Sequence, residues 1–205
     1  MLAPEKRSRS SVGAAGLSPG EVFAEFLEPL LHHAVRLRGL YDPLLFERAT
    51  AYEVPVWRCS HPEVASYLSR AVAGCRRAID DGKLSRVSVC FFDERHCRTD
   101  EVCVRLAAPL PKVDERSAPA LHSWFRESLL GLDGGLGGRG LDPAASFQVE
   151  LVCAGRMGEA RDWVLVEGRA GSGGTGTPAP EPAVVEPVRS LGQVIPAEVF
   201  VKRFL

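Results

Sequence analysis

The chain has 205 residues and a formal net charge of -1, from 25 basic and 26 acidic residues. This length suits one ordinary domain, or one domain with tails, and allows a buried core without disulfide staples. The balanced charge excludes the global field that holds nucleic acid or an anionic membrane, so we expect direct contact with neither.

Residues 1–17 are predicted to form a disordered N-terminal arm. They contain basic residues but no apolar run after them, and no later segment is long enough to span a bilayer. The basic stretch at residues 6–9 is either part of a nuclear import signal or a solvated tail. These features fit a cytosolic or nuclear protein.

The six cysteines contain no Cys-x-x-Cys pair, and several fall on the apolar faces of predicted elements. They are Cys59, Cys75, Cys90, Cys97, Cys103 and Cys153. This pattern predicts free, mostly buried thiols in a reducing compartment, in preference to a disulfide framework or a zinc site.

Three helices are predicted from apolar residues at helical spacing. The first begins at residues 18–21, Ser-Pro-Gly-Glu, where serine and glutamate can form a reciprocal capping box. The second begins with the same chemistry at residues 60–63, Ser-His-Pro-Glu, with Ser60 as the cap. The third begins at Ser117 or Ala118. The glycine-rich run at 134–140 is expected to be a mobile loop, because glycine disfavours a helix.

Alternating apolar residues predict an antiparallel sheet. Residues 52–57 read as an edge strand because Pro55 lacks an N–H group. Residues 87–92 and 102–106 predict a hairpin with a polar turn between them. A further strand is predicted at residues 147–151.

The C-terminal region changes composition twice. After a short predicted strand at residues 163–166, residues 168–187 have the composition of a linker without a core of its own. Residues 188–205 recover apolar character. We therefore expect a C-terminal strand or arm that returns over the sheet.

Candidate catalytic groups are few. The carboxylates and imidazole at residues 93–96 fall on a hairpin tip, which normally leaves such groups solvated and not held in a catalytic cleft. His32 and His33 point about 100° apart on a helix, do not form a chelating pair, and are expected on a partly exposed helix edge. The glycine run lacks a phosphate-binding ending. We predict no catalytic, cofactor or metal residue; a small enzyme with an unrecognised site is the less favoured alternative.

Short motifs in residues 20–67 carry a resemblance to a known family. They are Glu25-Phe26-Leu27-Glu28, Tyr41 with Phe46, Tyr52-x-Val54-Pro55-Val56, and His61-Pro62-Glu63 followed by Tyr67. These motifs resemble the HORMA-domain accessory subunit of the translesion DNA polymerase zeta, in the mitotic-arrest-deficient-like family. The resemblance continues more weakly to residue 132.

The resemblance implies an α+β fold: a HORMA domain over residues 18–205, with a mainly antiparallel sheet and three helices packed on one face. Its core would span 18–154. Its safety belt would span 155–205, with a flexible part at 168–187, and would close over a partner peptide that adds to the sheet as an extended strand. The implied molecule is a noncatalytic adaptor without cofactors.

The resemblance also assigns partner-binding residues. Tyr67 matches the tyrosine that contacts the peptide of the catalytic subunit of polymerase zeta, and Trp163 is the nearest counterpart of the belt tryptophan. The interface with the C-terminal domain of the scaffold translesion polymerase is carried over to Val188, Lys202 and Phe204.

Arg126 and Arg48 match the surface through which HORMA domains form homo- or hetero-dimers. Shieldin-like or other HORMA-binding peptides and an AAA+ HORMA-remodelling ATPase are further implied partners. The leading interpretation is an adaptor in DNA damage tolerance. The alternative is a spindle-checkpoint or meiotic HORMA adaptor with a different peptide ligand.

Overall fold

The structure is a computed structural model that describes residues 18–110, 113–136, 144–154, 184–189 and 196–204. The predicted arm at 1–17, the predicted strand at 163–166 and most of the predicted linker lie outside these residues. Residues 184–187, at the end of that linker, are described and begin a strand.

Helices of equal length form one layer of the described structure. They are α1 (Pro19–Leu37), α2 (Pro62–Asp80) and α3 (Ala118–Leu136), and a short 3-10 helix covers Pro43–Leu45. The strands are β1 (Phe46–Ala51), β2 (Val54–Cys59), β3 (Leu84–Phe92), β4 (Arg98–Leu106), β5 (Ser146–Cys153), β6 (Val184–Arg189) and β7 (Ala197–Arg203).

The described strands form two sheets. β1 and β2 make an antiparallel hairpin of their own, and the others form a five-stranded sheet in the order β5-β3-β4-β7-β6. Every neighbouring pair in the larger sheet is antiparallel. The predicted hairpin of β3 and β4 is therefore confirmed, and the C-terminal strand β7 does return to the sheet, beside β4.

The start of α1 has the predicted capping box. The Ser18 hydroxyl accepts a hydrogen bond from the Glu21 N–H at 3.1 Å, and the Glu21 carboxylate accepts one from the Ser18 N–H at 2.8 Å. Asp80, the last residue of α2, accepts a further bond from the Gly20 N–H at 2.9 Å. A Cβ atom at position 20 would lie 2.5 Å from the carbonyl oxygen of Arg76, so glycine permits this close approach of the two helices.

The predicted cap of α2 is wrong. His61 is the N-cap residue and makes no capping hydrogen bond through its side chain. Ser60 lies one residue earlier, and its hydroxyl donates instead to the carbonyl of Leu45 at 2.9 Å, while its N–H donates to the same carbonyl at 2.8 Å. Ser60 therefore links the end of β2 to the 3-10 helix. Its hydroxyl is used in that link and does not cap α2.

The β1–β2 hairpin differs from the predicted single strand at 52–57. Tyr52 and Glu53 form its turn with φ angles of 50° and 61°, and β2 begins only at Val54. Two consecutive positive φ values match the twist of a two-residue hairpin, although side chains other than glycine or asparagine pay for them in strain. The Tyr52 ring lies 5.0 Å from the Phe125 ring, centroid to centroid, and is buried there. Packing of that ring holds the turn.

The start of the predicted glycine loop is helical instead. Gly134, Gly135 and Leu136 belong to α3, and Leu136 is buried; residues 137–140 lie outside the described residues. A Cβ at Gly131 would lie 2.6 Å from Cγ1 of Val188, and one at Gly135 would lie 3.0 Å from Cγ2 of Val201. The missing side chains let α3 approach β6 and β7 closely, and this packing outweighs the poor helix propensity of glycine.

Aromatic rings join α1 to α3 at the centre of the core. Phe26 stacks on Phe125 with centroids 4.4 Å apart and meets Trp124 edge-on at 5.5 Å. All six cysteines fall in the described residues as free thiols, and Cys59, Cys75, Cys90 and Cys103 are buried. The prediction of free, mostly buried thiols is confirmed.

Candidate functional site

The outer edge of β5 is the first candidate site. In the described structure β5 pairs with β3 on one side, and its other side carries the N–H of Val149, which donates to the Tyr67 hydroxyl at 2.9 Å. Alternate residues of a strand direct their backbone groups to the same side, so Phe147 and Leu151 present theirs at this edge too. Such a row of backbone groups is a template for another extended strand.

Tyr67 is held against this edge by ring packing. It projects from α2 onto Phe147 with ring centroids 5.5 Å apart and an interplanar angle of 83°. Tyr41 also packs against Phe147, with ring centroids 6.4 Å apart. Tyr67, the residue predicted to bind the partner peptide, thus caps the Val149 amide at the outer edge of β5.

The chain leaves the sheet at one edge and re-enters it at the other. β5 ends at Cys153 on the edge described above, and β6 begins at Val184 on the opposite edge. Four strand spacings separate these edges, or about 19 Å at about 4.8 Å each. Residues 155–183 connect the two, and the predicted belt residue Trp163 belongs to this segment, outside the described residues.

Charge pairs fix β7 to β4 on both faces of the sheet. The register places Arg203 opposite Asp100 and Lys202 opposite Glu101. On the helix side, buried Asp100 lies 3.6 Å from Nε of Arg203 and 2.9 Å from a guanidinium nitrogen of Arg38. On the outer side, buried Glu101 lies 3.3 Å from Nζ of Lys202.

The Glu101 carboxylate is ionised in spite of its burial. Burial alone would raise its pKa, but a 2.6 Å hydrogen bond from Ser88 and the charges of Lys202, Arg86 and Arg98 outweigh burial and hold the pKa below its ordinary value. Lys202 therefore faces a full negative charge across the β4–β7 ladder.

The residues predicted for the scaffold-polymerase interface do not all share one face. Lys202 and Phe204 lie on the outer side, where the Arg98 guanidinium is 5.9 Å from the Phe204 ring. Val188 lies on the helix side and contacts α3 at Gly131. The structure therefore brings the first two together and places the third on the opposite side of the same region.

The predicted dimer residues both lie at the β1–β2 hairpin. Arg126, on α3, is 3.9 Å from the carboxylate of Glu53 at the hairpin turn. Arg48, on β1, lies over the Trp57 ring with 5.0 Å between its guanidinium carbon and the ring centroid. Both arginines are exposed.

His32 and His33 contradict the prediction of an exposed helix edge, since both are only 2% exposed. Nδ1 of His32 accepts the Cys59 N–H at 3.1 Å, and Nδ1 of His33 accepts the Trp57 N–H at 3.3 Å. These bonds satisfy the edge of β2 that faces away from β1. His32 lies opposite the apolar stripe that predicted α1 and His33 lies at its margin, so helical periodicity did not indicate that both imidazoles are buried.

Burial, assisted by the charge of Arg58, lowers the pKa of His32 from 6.5 to about 4. Burial also lowers the pKa of His33, although Asp133, whose carboxylate lies 3.3 Å from Nε2, opposes that shift. Both rings are therefore neutral at physiological pH, with Nδ1 free to accept.

Other predicted features of the described residues are structural. Asp93, at the tip of the β3–β4 hairpin, accepts hydrogen bonds from the N–H groups of Arg95 and Cys97, which organises the turn. Across the described ranges no group of three or more metal-ligating side chains converges. None of the described helices is both long and apolar enough to traverse a lipid bilayer.

Comparison with curated proteins relates the chain to two sets of names. It is 36% identical over 75 residues to the DNA polymerase zeta processivity subunit of Arabidopsis thaliana, a match that covers 37% of this chain and 35% of that protein. It is 25% identical over 89 residues to the human mitotic spindle assembly checkpoint protein MAD2B, covering 43% and 42%. The matches thus span less than half of these relatives. No protein-family model matches the chain.

Comparison with solved structures extends over nearly the whole chain. A chain of the mitotic checkpoint complex matches with a TM-score of 0.74 and 13% identity, covering 91% of this chain and 98% of that one. Caenorhabditis elegans HTP-2 bound to the HTP-3 closure motif 1 matches with a TM-score of 0.61 and 11% identity, covering 90% and 85%. The chain has the HORMA fold.

This HORMA chain is related in sequence to the polymerase zeta processivity subunits, as the motifs in residues 20–67 predicted. The predicted α+β class, with three helices and a mainly antiparallel sheet, is confirmed. The names of its relatives denote a processivity subunit and a checkpoint protein, in agreement with the prediction that the chain is not an enzyme.

Proposed function

We propose that this HORMA chain is an adaptor that captures a peptide of the polymerase zeta catalytic subunit along the outer edge of β5. The observation that carries the proposal is the edge amide of Val149, which is capped by Tyr67 and not by a neighbouring strand. The relationship to proteins named polymerase zeta processivity subunit supports this choice of partner. The adaptor would work in DNA damage tolerance, in the nucleus.

Capture would proceed by addition of the peptide as a sixth strand. A peptide carbonyl replaces the Tyr67 oxygen as acceptor for the Val149 N–H, and the freed hydroxyl can donate to the peptide backbone. The belt, residues 155–205, then closes over the peptide, and its residues 155–183 connect the two edges of the sheet. A partner enclosed in this way leaves slowly, because the belt must open first.

The bridging part of the proposal places a scaffold translesion polymerase at the other edge. Lys202 and Phe204 offer a cation and a half-buried ring on the outer side of β7. Val188, on the helix side of β6, would support this edge of the sheet by packing against α3. Recovery of the scaffold's C-terminal domain together with the catalytic-subunit peptide on one protein chain tests bridging, and mutually exclusive binding would contradict it.

The experiment that tests capture uses a proline-containing peptide from the catalytic subunit of the same organism. We expect Tyr67→Ala to speed its dissociation at least tenfold, because the variant loses both the hydroxyl and the ring that packs on Phe147. Tyr67→Phe should have a smaller effect, because the ring remains. Biolayer interferometry gives the rates, and the thermal midpoint checks that each variant is folded. Unchanged dissociation in folded Tyr67→Ala would contradict the assignment.

A spindle-checkpoint or meiotic HORMA adaptor is the second candidate. The observation in its favour is the 25% identity to the checkpoint protein MAD2B. Both candidates use the β5 edge, so the peptide decides between them. Slow release of a checkpoint or meiotic closure-motif peptide, with no capture of the polymerase peptide, would favour this second candidate.

A further inference from the structure

Two arginines flank an indole on one face of the β1–β2 hairpin. Arg48 and Trp57 are cross-strand partners, so their side chains share that face. The guanidinium carbon of Arg36, from the last turn of α1, lies 5.2 Å from the Trp57 ring centroid, and that of Arg48 lies 5.0 Å from it. We call Arg36, Arg48 and Trp57 the arginine–tryptophan surface.

Neither arginine has a carboxylate partner within 4.0 Å in the described part of the chain. Of the acidic residues nearest in sequence, Asp42 accepts the N–H of Leu44, and Glu47 lies opposite Arg58 on the other face of the hairpin. The Nε atom of Arg36 is buried and has no hydrogen-bond partner among the described residues. The terminal nitrogens of Arg36 are not buried in this way, so they are the atoms that could pair with an anion from solution.

We propose that the arginine–tryptophan surface docks an acidic, extended segment of a protein partner, separately from the β5 edge. Guanidinium groups bind carboxylates in a bidentate manner. Both guanidinium carbons lie within 5.2 Å of one ring centroid, so they are no further apart than twice that distance. Carboxylates two residues apart on an extended peptide point to the same side and are about 7 Å apart, which fits this span.

Charge favours a peptide over a nucleic acid as the occupant. Single-stranded nucleic acids bind through open aromatic faces along a positively charged groove. Here two guanidinium groups already lie over the indole, and the net charge of -1 provides no extended positive field. Because β1 and β2 form a sheet of their own, the segment can bind while the β5 edge is occupied.

The test titrates the full chain with a defined probe, the peptide Gly-Glu-Leu-Glu-Leu-Glu-Gly, and with the same peptide carrying glutamine in place of glutamate. Nuclear magnetic resonance follows the indole N–H of Trp57, assigned with Trp57→Phe. We expect a saturable shift with the glutamate peptide and none with the glutamine peptide. Arg36→Gln should weaken binding about tenfold, and Arg48→Gln, at an exposed position, should do the same.

Arg58→Gln is the matched control, because it removes the same charge from the opposite face of the same hairpin, where Arg58 lies 4.0 Å from Glu28. It should leave binding within twofold of the unchanged protein. Equal binding of the glutamine peptide, or equal weakening by Arg58→Gln, would overturn the proposal. Tighter binding of a single-stranded oligonucleotide at Trp57 would also overturn it. A third contrary result is a dimer, seen by light scattering, that Arg36→Gln dissociates while the peptide does not bind.

Discussion

At the scale of single residues, the buried imidazoles of α1 show how one helix can close a strand edge. His32 accepts a backbone hydrogen bond from β2 only while its Nδ1 carries no proton. Protonation would replace an acceptor by a donor facing the N–H of Cys59. The bond is thus conditional on pH, unlike a bond within a strand ladder.

Acidification should destabilise the fold through His32 before the carboxylates titrate. The folded-state pKa, about 4, lies below the ordinary 6.5, so the unfolded chain binds more protons between these values. Stability is therefore complete above pH 6.5 and declines as the pH falls toward 4, by on the order of 3 kcal/mol in total. Urea unfolding at pH 7.5 and pH 5.0 measures the decline.

His32→Asn is the control for this pH dependence, because the amide oxygen can accept the same N–H and does not titrate. Its urea midpoint should change less between the two pH values than that of the unchanged protein. Equal pH dependence in the two proteins would assign the effect to other groups, His33 first among them.

At the scale of elements, the close approach of α3 to β6 depends on an absent side chain. Gly131→Ala should improve the helix propensity of α3 by up to about 1 kcal/mol. The new Cβ would, however, lie 2.6 Å from Cγ1 of Val188 and 3.3 Å from the Val188 carbonyl oxygen, and the strand backbone would have to move. Overpacking of this kind costs about 1–3 kcal/mol, so we expect net destabilisation in urea.

Gly134→Ala provides the comparison on the same helix. Nothing lies within 4 Å of a Cβ at position 134, so only the propensity gain applies and stability should rise or stay unchanged. If Gly131→Ala were as stable as Gly134→Ala, the tight contact between α3 and β6 would not exist in solution.

The attachment of β7 to β4 should depend more on its buried charge pair than on its exposed one. Lys202→Met removes a cation from Glu101, which is 2% exposed, and we expect a loss of about 2 kcal/mol because Ser88 and Arg98 remain as partners. Arg105→Met breaks the cross-strand pair with Glu198, whose arginine is 56% exposed, and should cost about 0–1 kcal/mol. Thermal unfolding compares the two variants. Equal losses of stability would contradict a dominant role for the buried Lys202–Glu101 pair.

At the scale of the whole molecule, the sequence predicted the elements that local chemistry determines. The capping box at Ser18 and the hairpin of β3 and β4 depend on neighbours in sequence, and both are confirmed. The errors occurred where distant contacts decide. Gly134 is helical in a helix whose glycine face packs on β6 and β7, and His32 and His33 are buried because β2 offers them backbone N–H groups.

The candidate site shows the same division. The motif containing Tyr67 could be recognised along the chain, but its hydrogen bond to Val149 joins residues 82 positions apart. The arginine–tryptophan surface has no sequence signature, since Arg36, Arg48 and Trp57 come from three elements. Cross-strand register and helix packing, which no local pattern encodes, bring them together.

The topology makes a last prediction about hydrogen exchange along β5. Gln148 and Glu150 direct their backbone groups toward β3, whereas Phe147, Val149 and Leu151 direct theirs to the outer edge. Without peptide, the N–H groups of Phe147 and Leu151 should exchange fastest in the strand, and Val149 more slowly because Tyr67 accepts from it. Binding of the catalytic-subunit peptide should protect all three outer amides and leave the β1–β2 hairpin unchanged. Protection of the hairpin without protection of β5 would place the peptide on the wrong sheet and contradict strand addition at this edge.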